Sequence, residues 1–80
     1  MRPVEKSEGP GPAVEKRRIQ ILEATCTVMH KQGIAATRVG DVAKCLGIST
    51  GLVHYHFDTK DELLAAAFRQ AAEKELEALR

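Results

Sequence analysis

Two clusters of chemically able side chains stand close together near the middle of the chain. Ser49-Thr50-Gly51 offers two hydroxyls and a residue with no side chain. His54-Tyr55-His56, followed by Lys60, offers two imidazoles, a phenol and an ammonium. A hydroxyl can serve either a donor or an acceptor on a base edge, and a threonine methyl can meet the methyl of thymine. Small residues at a helix start let backbone and ligand approach, and the free N–H groups there favour phosphate oxygens. Imidazoles, phenols and ammonium groups further along can reach the sugar-phosphate rails. Other chemistries fit less well. Cys45, His54 and His56 lack the Cys-x-x-Cys and His-x3-His spacings of a zinc site, so no metal or other cofactor is expected. No nucleophile–base–orienter set and no phosphate-cradling glycine loop is present, so the chain does not read as an enzyme.

Helices must carry these groups. Ile19, Leu22, Cys26 and Met29 fall at spacings of three and four, widened by Ile21, Ala24 and Val28. They predict a first helix from Ala13 or Val14 to Gln32, closed by Gly33. Thr37 or Arg38 starts a second helix that runs to about Leu46, with Thr37 as its expected cap and Val39, Val42, Ala43 and Leu46 inside. Gly47-Ile48-Ser49 is a tight turn. Ser49 caps a third helix, from Thr50 to His56 or Phe57, with Ile48, Val53 and Phe57 inward. Thr59-Lys60-Asp61-Glu62 matches a reciprocal capping box opening a fourth helix. Its predicted inner stripe is Leu64, Phe68, Ala72, Leu76 and Leu79, with Leu63, Ala67 and Ala71 beside it. Two short helices about a tight turn, the second with a polar start, are the pattern of a helix-turn-helix that puts its second helix into the major groove.

At these residues the chain resembles the N-terminal DNA-binding domain of TetR-family transcriptional regulators. The resemblance rests on Ile21-Leu22-Glu23-Ala24, Gly33, Thr37, Asp41-Val42-Ala43, Gly47 to Gly51, Val53 to Phe57, Lys60 and Leu63, and covers about residues 15–68. It implies a regulator, usually a repressor, that binds a palindromic operator as a homodimer. It also implies a further C-terminal helical domain that takes a small-molecule effector and moves the fourth helix. The expected DNA-contacting residues are Thr37, Arg38, Ser49, Thr50, Gly51, Leu52, His54, Tyr55, His56 and Lys60. Leu52 has two readings: it meets a thymine methyl, or it completes the core. Two positions depart from the family pattern. Arg38 stands where Ser or Thr often caps the second helix, and His54 stands where Tyr often touches phosphate.

Size and composition bound the rest. The 80 residues allow one small domain, and 44% are apolar with no tryptophan, so the core is aliphatic. Residues 1–60 hold nine Lys/Arg and six Asp/Glu, a balance of +3; residues 61–80 hold three and five, a balance of −2. A weakly basic front permits nucleic-acid binding without requiring it. No apolar run approaches the roughly 20 residues that cross a bilayer, and no signal peptide is visible, so a cytoplasmic location is expected. The two cysteines read as small hydrophobes. Lys16-Arg17-Arg18 and Lys44 read as solvated helix surface. The expected organisation is all-α: a disordered tail over 1–12, a three-helix homeodomain-like bundle with a helix-turn-helix over 13–59, and over 60–80 the start of a longer fourth helix. A three-helix head covers the apolar residues near Lys60 to Ala71, and Leu76 and Leu79 lie roughly 12–24 Å along the helix from that stretch, at about 1.5 Å per residue. They call for a further domain or a second copy. The competing function is a helical interaction or dimerisation module with no nucleic-acid role.

Overall fold

The computed structural model describes residues 12–79. Four helices follow one another: α1 (Pro12–Gln32), α2 (Val39–Leu46), α3 (Thr50–His56) and α4 (Lys60–Ala78). No strand occurs among the described residues. The helix α1 packs against both α2 and α4, and α2 carries α3. The expected tail over 1–12 lies outside the described residues except for Pro12, which opens α1. Proline suits that position, because its fixed φ is helical and its missing N–H would have no partner there.

One cluster forms the core. Ile21, Leu22, Ala24 and Val28 come from α1, Val42 and Ala43 from α2, and Val53 from α3. Phe57, just after α3, and Leu63, Ala66 and Ala67 of α4 complete it. Each large aliphatic or aromatic side chain in this set stabilises by about 1.5–3 kcal/mol through burial. Two buried hydroxyls find partners: Thr25 Oγ1 donates to Ile21 O at 2.7 Å, and Thr37 Oγ1 donates to Gly33 O at 2.7 Å.

Two predicted faces are turned. In α1 the buried line is Ile21, Leu22, Thr25 and Val28, while Ile19 is exposed and Cys26 and Met29 lie at the margin. In α4 the buried residues are Leu63, Ala66 and Ala67. Leu64 is half-buried, and Phe68, Ala72, Leu76 and Leu79 are exposed. The cause is close approach. Cys26 Sγ donates to Ala67 O at 3.6 Å, so around these two residues α1 and α4 lie too near each other for a large side chain between them. Alanine suits that contact; Phe68 lies at its edge, beside Cys26, Met29 and Ile34, and Leu76 lies near Ile19 further along. Glu23 Oε2 accepts from Lys74 Nζ at 3.0 Å further along the same pair of helices.

Candidate nucleic-acid interface

The turn between α2 and α3 is built by backbone geometry. Gly47 adopts φ 71° and ψ 33°, a left-handed conformation that costs other residues about 1–2 kcal/mol. Its amide donates to Lys44 O at 3.2 Å, and the Ile48 amide donates to Ala43 O at 3.0 Å. These bonds satisfy the last carbonyls of α2 and reverse the chain. Ser49 then caps α3, its Oγ accepting from the Leu52 amide at 3.1 Å. Thr50 and Gly51 are exposed on the first turn, Leu52 is half-buried, and Val53 is fully buried as the anchor.

The start of α2 corrects an expectation. Arg38, not Thr37, holds the N-cap position, and it makes no side-chain cap bond. Thr37 is 1% exposed, with its hydroxyl turned back on Gly33 O. That side chain presents no surface to a partner, and its role here is to fix the turn. Gln32 supplies the missing support. Its Nε2 donates to Ala36 O at 2.9 Å and to Asp41 Oδ2 at 3.1 Å, tying the end of α1 to the first turn of α2. Arg38 itself is exposed.

At the far end of α3, Tyr55 is 73% exposed and meets His56 edge-on, with ring centroids 5.1 Å apart. His54 Nδ1 lies 3.2 Å from both Phe57 O and Asp58 O. Two carbonyls require a donor, which assigns the proton to Nδ1. The outer nitrogen, Nε2, therefore accepts while the ring is neutral and donates only as imidazolium. Lys60 is half-buried at the start of α4. The short break between α3 and α4 is pinned by side chains: Thr59 Oγ1 accepts from the Glu62 amide at 3.1 Å. Glu62 Oε1 accepts from the Asp58 amide at 3.0 Å. The predicted reciprocal box thus forms with a shift, since Glu62 reaches the residue before the cap.

Arg17 and Arg18 are the residues that sequence reading assigned to plain solvent. Both are half-buried, and the Arg18 guanidinium lies 5.2 Å above the Phe57 ring. Burial, then Arg18 and Arg17, push the His56 pKa below its ordinary value, against a smaller pull from Glu15. The signal for Arg18 was present. It precedes Leu22 by four residues and Thr25 by seven, so it prolongs the buried line of α1. Among the described residues no group of three His, Cys, Asp or Glu is placed to hold a metal ion.

A left-handed glycine turn, a serine-capped short helix with an exposed polar start, and a second short helix packed behind it define a helix-turn-helix domain. Residues 21–67 match the family described as "Bacterial regulatory proteins, tetR family". The chain belongs to that family. It is 43% identical over 60 residues to the HTH-type transcriptional regulator PksA of Bacillus subtilis, covering 75% of this chain and 29% of that protein. It is 42% identical over 55 residues to the HTH-type transcriptional regulator BetI of Paraburkholderia xenovorans, covering 69% and 28%. With the HTH-type transcriptional regulator TtgR of Pseudomonas putida it shares 36% identity over 52 residues, covering 65% and 25%. The matched part thus spans less than a third of these curated relatives. No solved structure matches the chain.

Proposed function

We propose that this chain is the DNA-reading head of a TetR-family transcriptional regulator, with α3 in the major groove of double-stranded DNA. The observation that carries the reading is the exposed first turn of α3, raised on the Gly47 turn and held from behind by Val53. Gly51 adds support. A Cβ there would meet only Ser49 Oγ at 3.7 Å, an ordinary contact, so the fold does not itself require glycine. A residue without a side chain on this exposed turn lets a partner's surface approach the backbone closely.

In this reading Thr50 and Leu52 face base edges, and Ser49 and Gly51 set the approach. Arg38, Tyr55, His56 and Lys60 face phosphates, while Thr37 and His54 act through the turns that they fix. The whole protein is a ligand-responsive repressor that binds a palindromic operator as a homodimer in the cytoplasm, its effector held by a C-terminal domain. It performs no catalysis. Among the described residues no helix is long and apolar enough to cross a membrane. An interaction module without a nucleic-acid role is not favoured, because the family match spans the very segment that contains the turn and α3.

Selection from a randomised duplex pool tests the reading. Enriched sequences should contain two inverted half-sites about one helical turn apart, or a multiple of it. A pool that stays unenriched at low salt would sink it.

A further inference from the structure

We propose that Arg17 and Arg18 of α1, together with His56 at the end of α3, form a second clamp on the DNA backbone beside the reading helix. The proposal rests on the DNA-reading role of α3 and adds a contact from a helix outside the helix-turn-helix pair. Arg18 is oriented before any partner arrives. Its guanidinium lies 5.2 Å above the ring of Phe57, which is itself only 2% exposed and therefore fixed in the core. A guanidinium held over a ring face keeps N–H groups for bidentate bonds to phosphate oxygens. A side chain already held in place loses less rotamer freedom on binding.

Arg17 and His56 fill out the same corner. Both are half-buried, and the imidazole stands edge-on to Tyr55 at 5.1 Å. The field there is positive: Arg18 and Arg17 add to burial in disfavouring a charged His56, and among the described residues Glu15 acts against them. A phosphodiester placed at this corner answers the positive field that both guanidinium groups impose on His56. Because His56 ends the helix that reads the bases, a phosphate at this corner lies on the strand flanking those bases.

The test is fluorescence anisotropy with the protein on a selected duplex and on a scrambled duplex, across a salt series. Arg17→Ala and Arg18→Ala should each lower the log–log salt slope by about one unit and weaken both duplexes by the same factor. Arg18→Lys should restore the slope while leaving part of the affinity loss, because an ammonium carries the charge without the fork. Circular dichroism melting of each variant verifies the fold. Wild-type slopes and affinities in both alanine variants overturn the clamp and leave the reading of α3 standing. A wild-type protein that binds neither duplex at low salt overturns both.

Discussion

Thr50→Ala removes a hydroxyl and a methyl from the exposed first turn of α3 without touching the core. It should cost roughly 1–3 kcal/mol of discrimination at one base pair and little elsewhere, measured by competition among single-base operator variants. Lys60→Ala should behave in the opposite way, weakening every sequence alike and lowering the salt slope by about one unit. If the two patterns exchanged places, the division into reading and gripping residues would be wrong. His56 gives a pH signature of folding. Its folded pKa lies below the ordinary histidine value of about 6.5, so the unfolded chain binds more protons in that window. Its contribution is complete above about 6.5 and is lost as the pH falls through that value toward the folded one. Denaturant midpoints at several pH values should show this slope in the wild type, and His56→Gln should flatten it. Residue types exposed the polar start of α3 in the sequence, because Ser, Thr and Gly follow a glycine turn. They concealed Thr37, which is buried with its hydroxyl turned back on Gly33 O, and the placement of Arg18, whose partner Phe57 lies 39 positions away.

The turn is the element on which α3 depends, and its strength is measurable. Gly47→Ala should destabilise by about 1–2 kcal/mol through backbone strain alone, since a Cβ there meets nothing within 4 Å. An unchanged thermal midpoint would mean that the residue does not need its left-handed conformation. Ser49→Ala should cost about 1 kcal/mol by removing the side-chain cap and leaving the Leu52 amide only the Ser49 carbonyl. Helix boundaries were largely legible, because Gly33, Gly47, Ser49 and Thr59 are local signals whose chemistry acts over a few residues. Facing was less legible. The spacing in α4 points to Leu64, Phe68, Ala72, Leu76 and Leu79 as the inner stripe, yet the buried side is Leu63, Ala66 and Ala67, because the closeness of α1 is a property of two helices together.

At the scale of the molecule, a small aliphatic core is paired with an apolar outer surface. Phe68 is 50% exposed, Leu76 63% and Leu79 82%. Leu76→Lys should therefore shift the stability of this 80-residue chain by less than about 0.5 kcal/mol, read from denaturant unfolding. A large loss would show that Leu76 is covered in solution. The Glu23–Lys74 bridge, exposed on both sides, should likewise contribute at most about 1 kcal/mol, and raised salt should weaken it. The joint between α3 and α4 behaves differently. His54, Thr59 and Glu62 between them engage the backbone of residues 57, 58 and 62, so both sides of the break between the helices are tied. A pull on the first turn of α4 is carried into α3 as a tilt of the whole reading helix, as a spanner turns with its shaft.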